Sequence, residues 1–313
     1  MSDGEPPAGA SEADSGGGSP GERLFHVDGE VVPESEATVS VRDRGFMYGD
    51  GVFETLRVYG GDPFEWASHR ERLGRAAERL GLGDAIPADL RERVEETLEA
   101  NDLAEAYLKV SVTRGAQPGT LTPDPDVDPT VVVYVSELPR GGVDGDSVWD
   151  GPATVQTVRA RRAPDSALPA DGKTHNYLPS ILARLELQRS ATDEFAADEA
   201  LVRTTDDALA CGAASNVFFV DGGTLKTPTT DLPILPGVTR SVVLGLAASE
   251  DFPVEQGRYG VADLRDADEA FLTNSTWELR PVGRVDGLDL PVGPMTKLLA
   301  RLFDERIERE HYD

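Results

Sequence analysis

The chain is short of lysine, cysteine and histidine and has no long apolar run. Each shortage excludes something. A single cysteine, Cys211, leaves no internal disulfide and no cysteine-built metal centre. The four histidines, His26, His69, His175 and His311, stand at no ligand spacing, so no metal site is expected. No apolar stretch reaches the ~18 residues that a membrane-crossing helix needs. The N-terminus lacks the basic start and apolar core of a secretory signal, so a cytoplasmic protein is expected. Positive charge is also scarce. The 30 Lys and Arg face 57 Asp and Glu, for a net charge of −27, which argues against nucleic acid or an anionic membrane as partner. The acids are dispersed along the whole chain, as in proteins of a high-salt cytoplasm. There the Debye length is about 3 Å at 1 M salt and self-repulsion is screened.

The lysine shortage is the most informative. Only Lys109, Lys173, Lys226 and Lys297 occur among the basic residues, the rest being arginine. Lys173 stands in Asp171-Gly172-Lys173-Thr174-His175-Asn176-Tyr177-Leu178, a turn that opens a helix-like run. Arginine does not lose its proton in a protein, whereas lysine does once its surroundings lower its pKa. A chain that prefers arginine but keeps lysine here suggests amine chemistry such as a Schiff base. A solvent-facing lysine is the plain alternative.

Residues 1–22 are Gly, Ser, Pro, Ala and acid, and an unstructured acidic tail is expected there. Short strands are expected around Asp28-Gly29, at Val52 to Tyr59, at Ala106 to Thr113 and at Thr130 to Ser136. Helices are expected over Ser68 to Leu82 and Ala88 to Ala100. These form a small N-terminal α/β domain, residues 23–137. A Pro- and Gly-rich linker, residues 138–152, leads to a larger domain, residues 153–313. There the pattern gives strands at Ala153 to Arg159, Glu199 to Val202, Asn216 to Val220, Leu225 to Thr227, Glu269 to Thr273 and near Val282. Helices are expected from Tyr177 or Leu178 to Arg189, after Pro236-Gly237, and from Met295. The fold class read from this is α+β, two domains with sheets of mixed strands.

Three segments suit an anion. Leu235-Pro236-Gly237-Val238-Thr239-Arg240 ends a loop at a helix start, where free N–H groups and the helix dipole favour negative charge. Leu272-Thr273-Asn274-Ser275-Thr276-Trp277 places small polar residues after an apolar strand. His69-Arg70-Glu71-Arg72-Leu73 offers guanidinium groups that bind phosphate through two parallel hydrogen bonds. Each alone is also explained by an ordinary cap, turn or solvated helix face.

Six ordered motifs together resemble the fold-type-IV pyridoxal-phosphate enzymes, the class IV aminotransferases. They are Asp43-Arg44-Gly45-Phe46-Met47-Tyr48-Gly49-Asp50-Gly51-Val52-Phe53-Glu54-Thr55, His69-x-x-Arg72-Leu73, Lys173-x-x-Asn176-Tyr177-Leu178, Gly212-x-x-Ser215-Asn216-Val217-Phe218, Pro236-Gly237-Val238-Thr239-Arg240 and Asn274-Ser275-Thr276-Trp277-Glu278-x-x-Pro281-Val282. The resemblance spans residues 24–308. It implies a small N-terminal α/β domain, a larger C-terminal domain with a barrel-like sheet, a site between them, and a homodimer. It implies pyridoxal 5′-phosphate as cofactor, attached to Lys173, which also shuttles a proton. Arg72 would bind the phosphate with the Val238 and Thr239 amides and the Thr239 hydroxyl. Ser275 or Thr276 would complete the cradle, and Tyr177 would stand near the ring oxygen.

One position departs from that pattern. The family carries a glutamate before the glycine of the Gly212 motif, paired with the pyridine nitrogen; here it is Cys211. Three readings stay open. A thiolate pairs with the ring; another acid, Asp206, Asp207 or Glu199, supplies the charge; or the ring stays largely unprotonated and catalysis is weakened, even to a cofactor-binding protein with little turnover. A fourth explanation is a tolerated buried small residue.

Within the family, Tyr107-Leu108-Lys109-Val110-Ser111-Val112-Thr113-Arg114-Gly115 resembles the corresponding strand of 4-amino-4-deoxychorismate lyases, whereas branched-chain aminotransferases tend to carry arginine at the place of Lys109. The Arg-x-His carboxylate trap of D-amino-acid aminotransferases is missing. The resemblance therefore implies a lyase that releases pyruvate and forms 4-aminobenzoate, with a branched-chain or broad amino-acid transaminase as the alternative. Lys109, Arg114 and Thr55 are the candidate contacts to a small amino-acid-like substrate.

Overall fold

The computed structural model describes residues 22–141, 148–192 and 196–313. The expected acidic tail lies outside them except for Glu22, as does the middle of the expected linker.

Two sheets divide the chain. The first holds β1 (Leu24–Val27), β2 (Glu30–Pro33), β3 (Gly51–Tyr59), β4 (Asp62–Pro63), β5 (Ala106–Thr113) and β6 (Val131–Glu137), in the order β2-β1-β6-β5-β3-β4. All its pairings are antiparallel, which corrects the expectation of mixed strands here. The reason is local. The turns Asp28-Gly29 and Gly60-Gly61, all at positive φ, close hairpins that reverse the chain at once. Three helices accompany this sheet, α1 (Arg44–Tyr48), α2 (Trp66–Arg79) and α3 (Leu90–Ala100). Leu73, Ala76, Ala77, Leu90, Val94 and Leu98 pack on alternate residues Val52, Leu56, Val58, Leu108, Val110, Val112, Val131, Val133 and Val135. One sheet face is thereby closed, at about 1.5–3 kcal/mol for each large side chain buried.

The second sheet is mixed and larger. It holds β7 (Ala153–Arg161), β8 (Glu199–Arg203), β9 (Leu209–Gly212), β10 (Asn216–Asp221), β11 (Thr224–Pro228), β12 (Val254–Gly257), β13 (Glu269–Asn274), β14 (Glu278–Val285) and β15 (Leu288–Asp289). Their order is β12-β11-β10-β13-β14-β7-β8-β9, with β15 on β14. β7 runs parallel to both β14 and β8, and β11 parallel to β12. The sheet curls until β9 lies beside β10 and β11, the barrel-like shape expected. Its helices are α4 (Leu178–Ser190), α5 (Val238–Ser249), α6 (Val261–Arg265) and α7 (Pro294–His311). α7 also reaches back to the first unit, packing Phe303 against Phe64 and pairing Arg306 with Glu65. Among the described residues no helix is long and apolar enough to cross a membrane.

Candidate active site

β3 organises the site from both of its faces. Its upper end has a free edge, because β4 pairs only with Val58 and Tyr59. The loop carrying Lys173 adds to that edge. Phe53 N–H donates to the Lys173 carbonyl (2.8 Å), His175 N–H donates to the Gly51 carbonyl (3.0 Å), and Val52 bridges Thr174. Two glycines permit the approach. A Cβ on Gly172 would lie 2.7 Å from Ala76 Cβ of α2, and one on Gly49 would lie 2.7 Å from Asn176 Oδ1. Asn176 donates to the Gly49 carbonyl at 2.9 Å. Lys173 is therefore fixed at its backbone while its amine stays half-exposed. That amine donates to the Tyr177 hydroxyl at 3.1 Å and stands 4.4 Å over the Phe53 ring.

On the α2 side, Glu54 occupies a position of the alternation otherwise filled by Val52, Leu56 and Val58. It meets Arg72. Arg72 donates through Nε to Oε1 (2.7 Å) and through Nη2 to Oε2 (2.6 Å), and His69 Nδ1 lies 2.7 Å from Oε2. All three residues are buried. Burial alone would raise the Glu54 pKa, but the charge and hydrogen bonds of Arg72, with those of His69, hold it down to about 2. Burial pushes His69 below the ordinary imidazole value. The carboxylate thus aims the guanidinium, and Arg72 Nη1 donates to the Pro236 carbonyl at 2.9 Å. Pro236 directly precedes Gly237, the N-cap of α5, so Val238 and Thr239 present the first-turn amides beside Arg72. Gly237 is needed there, since a Cβ would sit 2.0 Å from Asn216 Oδ1. Asn216 donates to the Leu235 carbonyl (3.0 Å) and is paired with Thr273, which brings the β13–β14 turn alongside. In that turn Asn274 Oδ1 accepts from Thr276 N–H (3.0 Å), Thr276 Oγ1 (3.1 Å) and Trp277 N–H (2.7 Å). The segment leading into Val238 and Thr239 is thus held to Arg72, and the turn carrying Ser275 and Thr276 follows β13, the strand that Asn216 joins to that segment. The donor set suits a phosphate. Of the five guanidinium N–H bonds of Arg72, Glu54 and Pro236 take three.

On the other face, Phe53, Thr55 and Arg57 of β3 stand opposite Ser111, Lys109 and Tyr107 of β5, and Lys109 stands opposite Tyr134 of β6. Lys109 Nζ lies 4.9 Å over the same Phe53 ring that Lys173 overlies, so the two amines share one floor, with Thr55 opposite Lys109. Ser111 Oγ and His175 Nε2 are 2.8 Å apart, and burial, then the Lys109 charge, lowers the His175 pKa. Arg114 does not join them. β5 ends at Thr113, and Arg114 turns to Asp50 (Nε, 2.8 Å) and to the carbonyls of Leu80 and Gly81. It ties the end of α2 to the loop after α1.

Cys211 lies buried on β9 among Ala208, Ala210, Leu232 and Ile234. Burial pushes its thiol pKa up, with Arg162 opposing. A neutral thiol follows, against the thiolate reading. Asp206 and Asp207 are exposed and pair with Arg258, and with Arg161 and Arg203. Glu199 is buried behind Gly212, but it accepts from Ser215 Oγ (3.0 Å) and the backbone N–H groups of Ala200 (2.9 Å) and Ala214 (3.2 Å). None of the three acids is placed as a spare carboxylate, which favours the reading of a weakly protonated ring. Glu54, Arg57, Tyr107 and Tyr134 were not anticipated. For Glu54 the available signal was a charged residue at an apolar position of the β3 alternation; the other three carried none.

Comparison with known proteins gives the family and the fold. The amino-transferase class IV family model matches residues 51–285. A putative branched-chain-amino-acid aminotransferase of Methanocaldococcus jannaschii is 35% identical over 90% of this chain and 95% of its own. A D-alanine aminotransferase of Staphylococcus haemolyticus is 31% identical over 90% and 97%. Among solved structures, the branched-chain aminotransferase of Thermoproteus uzoniensis with norvaline superposes with TM-score 0.84 at 28% identity, covering 93% of this chain and 97% of that one. A putative 4-amino-4-deoxychorismate lyase of Legionella pneumophila superposes with TM-score 0.76 at 26% identity, over 87% and 96%.

Proposed function

Because this chain belongs to the class IV aminotransferase family, whose members work with pyridoxal phosphate, we propose that it is a transaminase exchanging an apolar, branched-chain type of amino acid with an acidic 2-oxo acid. The observation that carries this is the floor beside Lys173. Phe53, Tyr107 and Tyr134 offer aromatic rings and Lys109 offers one cation on the same face of β3, β5 and β6, a combination that suits both an apolar side chain and a second carboxylate.

When bound, the cofactor supplies an aldehyde for an amine to condense with and a ring that withdraws electrons from the substrate α-carbon. The protein residues do the rest. Arg72, the Val238 and Thr239 amides, the Thr239 hydroxyl and Ser275 or Thr276 would hold the phosphate. Lys173 would provide the attachment point and, once released, move the α-proton. Tyr177, 3.1 Å from the Lys173 amine, would orient that amine and keep a donor at the ring oxygen. Lys109 would take the distal carboxylate, with Thr55 beside it.

The lyase remains the second reading, supported by Lys109 itself and by the Legionella pneumophila neighbour. A D-alanine activity finds less support, because Arg114 is committed to Asp50 and the carboxylate trap is missing. We also infer a homodimer. Phe46 and Val41, with Leu178, Ile181 and Leu182, are exposed on both sides of the Asn176–Gly49 contact, an apolar surface that a second copy would cover.

The test uses purified protein loaded with pyridoxal phosphate, its mass checked by light scattering for two chains. Leucine with 2-oxoglutarate should convert the cofactor spectrum and yield glutamate. Pyruvate release from aminodeoxychorismate without leucine turnover would replace the transaminase by the lyase, and a chromophore inert to both would leave only a cofactor-binding protein.

A further inference from the structure

The proposed phosphate cradle is assembled from two units of the chain. Arg72 comes from α2 of the first, whereas Thr239 and Ser275 come from the second. Something must hold the halves in register, and β3 touches both. Three residues beyond Glu54, on the opposite face of the strand, stands Arg57, 2% exposed. Its guanidinium leaves the first unit altogether. Nη1 donates to Glu278 Oε1 at 2.7 Å and to the Thr276 carbonyl at 3.2 Å, and Nη2 donates to the Pro139 carbonyl. The Tyr59 hydroxyl, from the same face of β3, donates to the same Glu278 oxygen at 2.7 Å.

Glu278 closes the turn that carries Ser275 and Thr276, where it pairs with Asn274. It does so at φ +57, a left-handed conformation that a side chain of this type adopts only when its surroundings hold it there. The linker is shaped around the contact as well. Gly141 has φ +60, and a Cβ there would lie 2.7 Å from Arg57 Nη1 and 3.0 Å from Glu278 Oε1. Two residues of the first unit thus grip both the carbonyl inside the turn and the carboxylate at its end.

We propose that Arg57, assisted by Tyr59 and Glu278, is a positioning residue that sets the Ser275–Thr276 turn against Arg72, so that both halves of the cradle meet one phosphate. β3 acts as the common bar, with Glu54 aiming Arg72 on one face and Arg57 aiming the turn on the other. The inference rests on the pyridoxal-phosphate reading of the site. It makes a demand that general packing does not. Loss of the contact must weaken binding of the phosphate more than binding of the rest of the cofactor.

The experiment compares pyridoxal phosphate with pyridoxal, which lacks the phosphate, by absorbance titration of the apo form of wild type, Arg57→Lys and Tyr59→Phe. Arg57→Lys keeps the charge and loses the fork. Its affinity for pyridoxal phosphate should fall on the order of tenfold or more, while that for pyridoxal moves by less than about twofold. Tyr59→Phe removes one hydroxyl from an otherwise intact core and should show the same bias at about threefold, so the test survives if Arg57→Lys does not fold. Equal losses for the two ligands, or wild-type affinity for both, would reduce Arg57 to a structural residue and overturn the proposal while the cofactor reading stands. Wild type that binds neither ligand would overturn both.

Discussion

The two ends of the cleft are built on different principles. At the proposed phosphate end the buried charges Glu54, Arg72 and Arg57 each have partners. Glu54 holds Arg72 and His69, Arg72 reaches the Pro236 carbonyl, and Arg57 reaches the facing turn. At the proposed ring-nitrogen end, Cys211 stands where the resemblance places a carboxylate, a thiol that burial keeps protonated, with Arg162 as the nearby cation. Anchorage is over-determined and electronics are relaxed. The contrast teaches that the two functions of a cofactor site are separable. On the proposed reading, this chain would keep the geometry that fixes the cofactor while giving up the group that tunes the ring.

The sharpest way to break this comparison is Glu54→Gln. The isosteric amide leaves the Arg72 charge buried without its counter-ion, which costs about 3–5 kcal/mol. Bound phosphate would then supply the missing negative charge, so pyridoxal phosphate should raise the melting temperature of the variant more than that of wild type. The pH dependence follows the same residue. The Glu54 pKa is depressed to about 2 in the fold against an ordinary 4.5, so its stabilisation is fully present above pH 4.5 and is lost as pH falls towards 2. Acid melting curves of the variant should lack that portion of the slope. An unchanged acid limb would mean that the pair is not the source of the anchorage.

The opposite end is tested by adding back what is missing. Cys211→Glu would place a carboxylate beside Arg162, and transaminase turnover should rise on the order of tenfold, since a charge-stabilised ring is a better electron acceptor. Unchanged or lower turnover in a folded variant would mean that the thiol end is already adapted to its reaction and that relaxation is the wrong description.

Most elements were legible because their periodicity was clean. The alternation of Val52 to Tyr59 and of Ala106 to Thr113, and the apolar stripe of Leu73, Ala76 and Ala77, predict β3, β5 and α2 within a few residues. β9, β12, α1 and α6 were not anticipated. They are four or five residues long, too short for a periodicity to show; pairing with other strands, such as Leu201 with Gly212, defines β9 and β12, and local caps at Asp43 and Asp263 define α1 and α6. The site divides in the same way. Lys173 stood out by residue type alone. Arg114 was expected beside Lys109, but past the strand end at Thr113 it pairs with Asp50, a partner that spacing along the sequence does not reveal. Gly115 turns the chain at φ +80, and a Cβ there would lie 1.7 Å from the Asp128 carbonyl oxygen. Glu54 and Arg57 were overlooked because a charge in a strand reads as surface until the face it points to is known.

The comparison between buried and exposed charge also sets the smallest expected effect. Acids such as Asp206 and Asp207 are exposed, and a net charge of −27 makes the compact state repel itself in dilute buffer. Molar salt shortens the Debye length to about 3 Å, so the melting temperature of wild type should rise by roughly 5 °C between dilute buffer and 1 M salt. The Glu54–Arg72 pair, closed off from solvent, is screened far less. The gap in melting temperature between wild type and Glu54→Gln should therefore stay constant as salt is added while both curves climb together. A gap that closes with salt would show that ions reach the pair and that the anchorage belongs to the surface after all.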